Sequence, residues 1–295
     1  FNPEEIERQI YFSGEEWRSK SMGFRIYSFF GEVPDPALVS GAVARSAFRP
    51  SILLRLSFDN CDGKDEMTGL FGMQGIRRPL SDSTNGALLG MASNDCFGFA
   101  INPAADVEEV MDWSVINATF NCNHSLCRLA SEGGLRFRIP AHSRAEYIIA
   151  LGVYRDGIIT SGRRAYAYYT CFFEDLEDVL ESALDETEES LCKAKKLDDM
   201  LESSGLSEDR CFLIAQATHS YLANTELLRT EDGEPVFIVN EGEYQMMNTL
   251  DLVIDQIFWE ARFSPWTIRN ELESLEEYSS YEDSYGLAFA HDQGV

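Results

Sequence analysis

Two carboxylates that lie two residues apart, Glu241 and Glu243, have the spacing in this chain that best suits acid–base or nucleophilic chemistry. They stand in the stretch VNEGEYQMMNTLD, residues 239–251, where a short apolar run leads into a helical pattern. Retaining cleavage of a glycosidic bond uses two carboxyl groups about 5–5.5 Å apart, one as nucleophile and one as acid/base. In an extended segment, residues i and i+2 point the same way at a separation of roughly 6.6 Å, so the two acids could converge.

The same pair of acids also fits a purely structural explanation. Acidic side chains near the N-terminus of a helix stabilise its macrodipole. Two like charges placed together would raise the pKa of one of them, which suits either a catalytic pair or a crowded helix start. The residues alone therefore leave both interpretations open.

The elements that precede these acids read as β structure over residues 1–172. Residues 51–58 alternate, with Ile52, Leu54, Leu56 and Phe58 on one face. Similar runs at residues 24–29, 86–91, 97–101, 135–139 and 146–154 are separated by Gly, Asn, Asp and Pro. Many short strands at this spacing predict an antiparallel β-sandwich.

A helical linker is predicted over residues 173–205, because five apolar residues recur there at helical spacing: Leu176, Val179, Leu180, Ala183 and Leu184. Its many acids are interpreted as a solvated face. Residues 206–295 are predicted to be mainly helical, and three helices separated by turns and short apolar runs suggest the start of a helical toroid. The overall class is thus mixed, a sandwich followed by helices.

The first of the three helices is predicted to begin at the N-cap Ser207 and to run to about residue 228, with Leu213, Ile214, Ala217 and Tyr221 along it. A turn at 231–235 and an extended run at 236–239 follow. The second helix is predicted to bury one stripe made of Met247, Leu250, Ile254, Ile257, Phe258 and Ala261. The third begins at Ser264-Pro265 and fades near Tyr278.

Composition narrows the class of function. The 295 residues carry 50 acids against 24 bases, a net charge of -26, which argues against nucleic acid as a partner. The sequence contains no run of 18 or more apolar residues, so no membrane-spanning helix is predicted. The seven cysteines are scattered; Cys122, His124 and Cys127 cluster but lack a fourth ligand, so neither a metal nor a cofactor is predicted. Because the chain begins at Phe1 and ends within a motif, we expect it to be truncated at both ends.

The stretch around Glu241 resembles the nucleophile segment of glycoside hydrolase family 52, the β-xylosidases. The resemblance extends in order through several short segments: RQI, IYS, VPDP, FDN, SY with NT, DQ, PWT, YED and HDQGV. It implies an N-terminal β-sandwich, linker helices and an (α/α)6 barrel of which residues 206–295 are the first part. It also implies retaining hydrolysis of β-xylosides with Glu241 as nucleophile and Glu243 as a neighbour that tunes or orients it. The acid/base Asp of the family lies further along the barrel and is expected outside these residues.

Further binding residues are expected around the nucleophile. His291-Asp292 resembles the sugar-hydroxyl clamp of the related family 116, although a helix-cap pair would explain it as well. Asn240 and Asn248 are candidate donors to a sugar hydroxyl, whereas Trp259 and Trp266 are interpreted as packing residues.

The expected partner is a xylo-oligosaccharide. No nucleic acid or membrane partner is expected, a homodimer is compatible with the family, and the resemblance suggests a cytoplasmic location. The alternatives are a β-glucosidase of the related family and a non-catalytic carbohydrate-binding protein with the same fold.

Overall fold

The structure is a computed structural model that describes residues 3–76, 78–93, 96–112, 114, 130, 132–160, 164–244 and 246–294, without the side chains of residues 3 and 243. Cys122, His124 and Cys127 lie outside the described residues. The chain forms two compact units: Phe1–Phe30, Pro50–Tyr154 and Glu174–Ala215 make the first, and Gly31–Arg49, Arg155–Phe173 and Gln216–Val295 make the second. The domain boundaries at residues 172 and 205 stay a prediction.

Strands and helices both occur, as the mixed class predicts. The strands are β1 (Glu7–Tyr11), β2 (Gly14–Arg18), β3 (Met22–Tyr27), β4 (Ser51–Asp59), β5 (Met67–Gln74), β6 (Arg78–Pro79), β7 (Leu89–Ser93), β8 (Phe97–Ile101), β9 (Val107–Asp112), β10 (Glu132–Ile139), β11 (Arg144–Val153), β12 (Ala165–Ala167), β13 (Thr225–Thr230), β14 (Pro235–Val239), β15 (Ser280–Asp283) and β16 (Gly286–Phe289). The helices are α1 (Gly41–Ala47), α2 (Leu80–Ser83), α3 (Leu176–Asp185), α4 (Thr187–Glu202), α5 (Glu208–Ala223), α6 (Leu250–Phe263) and α7 (Pro265–Tyr278).

The first unit is built on two antiparallel sheets. One has the order β1-β2-β3-β4-β11-β8-β7-β6 and the other the order β5-β10-β9. Side chains of both sheets share one core, in which Leu54, Leu56 and Phe58 of β4 pack with Phe137 of β10. The predicted alternation of β4 and the antiparallel, β-rich character of this region are therefore confirmed.

The opposite face of the larger sheet is covered by α3 and α4. Leu176, Leu180 and Ala183 are buried against Leu53 and Ala150 of the sheet. Asp175 caps α3, since its side chain accepts a hydrogen bond from the Asp178 N–H at 2.8 Å. The helical stripe predicted for this region is thus confirmed, and the helices form a layer of the first unit.

One strand begins later than predicted. The run at 86–91 was expected to be extended, but β7 starts at Leu89. Asn85 and Gly86 both have positive φ angles, +52° and +79°, so the chain is still turning at these residues.

The second unit contains a small antiparallel sheet, β12-β13-β14, a β15–β16 hairpin, and the neighbouring helices α6 and α7. The prediction that the helix from Ser207 continues to about residue 228 is wrong, because α5 ends at Ala223 and residues 225–230 are strand β13. Leu228 and Thr230 are buried in the sheet, where β13 pairs with both β12 and β14. Pairing on two sides outweighs the helical tendency of this segment.

The stripe predicted for the second helix is also wrong. In α6, Ile254 is 52% exposed and Phe258 is 86% exposed, whereas Val253 and Glu260 are buried. Glu260 can face the interior because Tyr221 donates a hydrogen bond to it. In α5, Leu213 and Ile214 are likewise exposed. The prediction that these segments are helical is confirmed, but the face predicted to be buried in α6 is wrong. Within the described residues, no helix is long and apolar enough to cross a membrane.

Candidate active site

Strand β14 carries the chain to the predicted site. Its residues from Val236 to Val239 are buried, which suits their continuous apolar sequence. The strand pairs with β13, and the next residue, Asn240, donates its backbone N–H to the Asn224 carbonyl at 2.8 Å. Glu241 therefore follows directly from a fixed strand of the sheet.

The residues after β14 form a closed loop rather than an extended segment. The Glu241 N–H donates to the Met246 carbonyl at 2.8 Å, and the Asn248 N–H donates to the Val239 carbonyl at 3.0 Å. Residues 242–244 form a 3-10 turn at the tip, which Gly242 enters with φ +48°. The premise that Glu241 and Glu243 lie on an extended segment is therefore wrong. The side chain of Glu243 is outside the described part, and its binding role stays a prediction.

The Glu241 carboxylate is half-buried and held from one side. Thr249, which is 1% exposed, donates its hydroxyl to Glu241 Oε2 at 3.0 Å. Thr249 is the N-cap residue of α6, so the carboxylate lies at the positive end of a 14-residue helix. The hydrogen bond from Thr249 therefore holds the carboxylate in one place.

Asn248 is buried completely and fastens the loop to the sheet. Its side-chain oxygen accepts from the Val239 N–H at 2.8 Å, and its side-chain nitrogen donates to the Phe237 carbonyl at 3.0 Å and to Gln293 Oε1 at 3.2 Å. Its φ is +47°, a left-handed conformation that asparagine tolerates better than most residues. These contacts assign it a positioning role, and its predicted contact with a sugar stays a prediction.

The segment 291–294 is brought against the same loop. The Leu250 N–H donates to the His291 carbonyl at 2.9 Å, and the Met247 N–H donates to the Gly294 carbonyl at 2.8 Å. His291 Nδ1 lies 3.2 Å from Asp292 Oδ2, and the pKa of Asp292 is lowered by the Gly294 N–H and then by His291. The structure thus places His291 and Asp292 beside the Glu241 loop, although they are about 50 residues away in sequence.

A cavity of about 270 Å³ opens beside the loop. Asn240, Gly242 and Met247 line one part of it, and Arg155 and Glu226 line another. The Asn240 amide donates to Glu226 Oε1 at 3.4 Å, so it is only loosely held. The cavity is mostly polar in its lining and is slightly smaller than the usual range of ligand pockets, roughly 300–1,000 Å³.

The packing behind α6 includes two buried acids. Glu260 and Glu271 are both fully buried, and Tyr221 donates to Glu260 Oε1 at 2.9 Å. Burial and then the nearby Glu260 carboxyl raise the pKa of Glu271 to about 10, and burial also raises the pKa of Glu260. Both oxygens of Glu271 have no hydrogen-bond partner within the part of the chain that the structure describes.

The two tryptophans take part in packing. The Trp259 ring packs on Tyr221 at 4.3 Å between centroids, and its N–H donates to Thr218. The Trp266 N–H donates to the Val33 carbonyl at 2.8 Å. These contacts agree with the packing interpretation. Among the described residues, no group of three or more His, Cys, Asp or Glu side chains could hold a metal ion.

Residues 1–295 match the sequence model of glycosyl hydrolase family 52. The chain belongs to this family. Two β-xylosidases of Geobacillus stearothermophilus are 32% and 33% identical to it over 313 aligned positions. Each alignment covers 100% of this chain, but 44% and 50% of the relatives. The chain therefore spans about half the length of the curated relatives it matches.

The family 52 chain also contains site residues that sequence reasoning missed. Thr249 lies within the 239–251 stretch, where a threonine before a helix commonly serves as a cap and so gives no signal of a role in the site. Gln293 stood in the quoted HDQGV segment, and only the fold shows that it reaches Asn248. Asp251 lies 3.9 Å from His291 Nε2, and its position at the start of α6 was the one available signal.

In this family 52 chain, Asn248→Ala is expected to lower the free energy of unfolding by about 2–4 kcal/mol. The change leaves the buried Val239 N–H and Phe237 carbonyl without partners, at about 1–3 kcal/mol each before relaxation, and places alanine at a positive φ. Urea unfolding measures the effect. Asn240→Ala is the matched control, expected to change stability by less than about 0.5 kcal/mol because its amide makes one long, exposed hydrogen bond. Equal losses in both variants would contradict the positioning role.

Proposed function

We propose that the protein to which this chain belongs is a retaining, exo-acting β-xylosidase that removes terminal xylose from xylo-oligosaccharides, with Glu241 as its nucleophile. Membership of family 52 and the names of the two relatives support the substrate class. The observation that carries the assignment is the Glu241 carboxylate, half-buried on a loop closed by backbone hydrogen bonds and held by Thr249.

In the first step, Glu241 attacks the anomeric carbon while the bond to the leaving oxygen breaks and an acid protonates that oxygen. The product is a xylosyl ester of Glu241 with inverted configuration. In the second step, the residue that acted as the acid takes a proton from water. This water attacks the ester, which restores the configuration and frees Glu241. The acid/base is proposed to be an Asp beyond these residues, on an (α/α)6 barrel that this chain begins. The mechanism uses no metal or cofactor.

The remaining site residues have proposed roles in holding the sugar. Asp292 is a charged acceptor beside His291, and together they present a carboxylate and an imidazole to adjacent ring hydroxyls. Asn240 and Glu243 lie on the same loop as the nucleophile, and the nearby cavity is small enough to suit a terminal sugar rather than a long chain. Asn248 contributes through the position of the loop.

The proposed partners and location follow from the family and the charge. The proposed substrate is a neutral oligosaccharide. Nucleic acid is not proposed as a partner, because a chain of net charge -26 repels its phosphates. We propose a cytoplasmic protein that acts away from membranes and that can form a homodimer.

The test is hydrolysis of p-nitrophenyl β-xyloside beside the β-glucoside by the full natural protein, with the first-formed anomer followed by proton NMR. Fast release from the xyloside with β-xylose as first product is expected. Preference for the glucoside would replace the substrate but keep the mechanism. Release of α-xylose would contradict retention, and no release from either sugar, together with sugar binding by calorimetry, would favour a non-catalytic binding protein.

A further inference from the structure

Thr249 holds an unusual position for a residue whose hydroxyl contacts a carboxylate. It is the N-cap of α6, where a threonine side chain normally accepts a hydrogen bond from a backbone N–H of the first turn. Here the side chain makes no capping hydrogen bond, and its hydroxyl donates to Glu241 Oε2 at 3.0 Å. The hydroxyl therefore serves Glu241 rather than the helix.

The donor is itself immobile. Thr249 is 1% exposed, and its carbonyl accepts from the Val253 N–H at 3.0 Å as the first turn of α6. The residues on either side are fixed as well, because Asn248 is bonded to β14 and the Leu250 N–H to the His291 carbonyl. A free glutamate samples many rotamers, and a rigid donor on one oxygen selects among them.

The two oxygens of Glu241 are consequently different. Oε2 accepts from Thr249, whereas Oε1 accepts no hydrogen bond from the residues that the structure describes. An oxygen that attacks must have a lone pair free and a defined direction. Among the described residues the hydrogen bond is made to Oε2 alone, and that bond sets the direction in which Oε1 points.

We propose that Thr249 is the positioning residue for the nucleophile: it holds Glu241 Oε2 so that Oε1 attacks the anomeric carbon. The inference rests on the proposed function. The electron pair of Oε1 forms the new C–O bond, and the electron pair of the broken bond leaves with the departing oxygen. Because Thr249 is only 1% exposed and its hydroxyl contacts the Glu241 carboxylate, its loss is expected to lower kcat and leave KM nearly unchanged.

The test follows the first step alone, in the full natural protein, with 2,4-dinitrophenyl 2-deoxy-2-fluoro-β-xyloside as the probe. Its leaving group needs no proton, and the fluorine slows hydrolysis of the ester, so one equivalent of dinitrophenolate reports the attack of the nucleophile. Thr249→Val is expected to slow this trapping about 10- to 100-fold. Thr249→Ala, which removes the hydroxyl without adding a methyl group beside the carboxylate, is expected to behave alike, and Thr249→Ser to restore most of the rate.

Thr267→Val is the matched control. Thr267 is also buried and also donates its hydroxyl, but to the Ser264 carbonyl at 2.8 Å, so its trapping rate is expected to stay at the wild-type level. Melting temperatures identify any variant whose rate falls through loss of folding, and rates are compared per folded molecule. A wild-type trapping rate in Thr249→Ala, or failure of Thr249→Ser to restore it, would overturn the proposal.

Mass spectrometry of the trapped wild-type protein separates this proposal from the proposed function. A xylosyl label on Glu241 with equal rates in wild type and Thr249→Ala overturns the role of Thr249 only. A label on another residue overturns the nucleophile assignment itself. A label on Glu241 with a slow Thr249→Ala supports both.

Discussion

Replacing Glu241 with alanine in the full natural protein is expected to lower xyloside hydrolysis by about 10⁴-fold or more, the size of loss seen when a nucleophile is removed. The variant keeps the loop, because the backbone N–H of residue 241 still reaches the Met246 carbonyl. The lost hydrogen bond from the Thr249 hydroxyl is expected to lower the free energy of unfolding by about 1–3 kcal/mol, so the variant stays folded. The measurement is initial-rate hydrolysis of p-nitrophenyl β-xyloside.

A second result identifies the chemical role of Glu241. Azide added to Glu241→Ala is expected to occupy the space of the missing carboxylate and to form α-xylosyl azide, restoring release of nitrophenolate. Glu234→Ala is the matched control, because Glu234 lies at the exposed turn before β14 and is expected to retain full activity. Near-normal turnover by Glu241→Ala, or rescue that yields the β-azide, would contradict the nucleophile assignment.

Much of the fold could be predicted because its patterns are local. The alternation of Leu54, Leu56 and Phe58 reports a strand with one buried face, and the spacing of Leu176 and Leu180 reports a helix lying on a sheet. Such patterns need only one apolar neighbour to be satisfied, whatever that neighbour is.

The predictions were wrong where hydrogen bonds to a distant segment determined the structure. Residues 225–230 have side chains compatible with a helix, but their backbone forms strand β13, which pairs with β12 on one side and β14 on the other. In α6 the apolar residues Ile254 and Phe258 are exposed, whereas Glu260 is buried, with a hydrogen bond that Tyr221 donates from another helix. A pattern in one segment carries no information about a hydrogen-bond donor held elsewhere in the chain.

For the candidate site, too, the sequence identified residues but not their contacts. The motif singled out Glu241 and its asparagines, and the structure brings Glu241, Asn248 and the 291–294 segment together. The hydrogen-bond partners of each side chain could not be predicted from the sequence. Asn248 resembles a polar ligand in sequence, but its amide is used by the backbone of β14. Thr249 resembles a helix cap in sequence, yet its hydroxyl donates to the Glu241 carboxylate.

The buried acids behind α6 lead to the second large expected effect: Glu271→Gln should make the chain more stable at alkaline pH. The folded chain keeps the Glu271 proton up to about pH 10, whereas the unfolded chain releases it near the ordinary value of 4.5. Between these values the folded state binds one more proton than the unfolded state, so the free energy of unfolding falls as pH rises. One such proton changes the free energy of unfolding by about 1.4 kcal/mol per pH unit.

Glutamine has the shape of protonated glutamate and carries no proton to lose, so the variant is expected to lose less stability than the wild type between pH 6 and pH 9. The difference between the two should grow steadily, by roughly 4 kcal/mol between pH 6 and pH 9 if the site does not open to water. Urea unfolding at pH 6, 7.5 and 9 measures it. Glu277→Gln, an exposed change on the same helix, is the control and should follow the wild type. If Glu271→Gln also ran parallel to the wild type, Glu271 would have to be ionised in the folded chain at neutral pH, which would contradict the prediction.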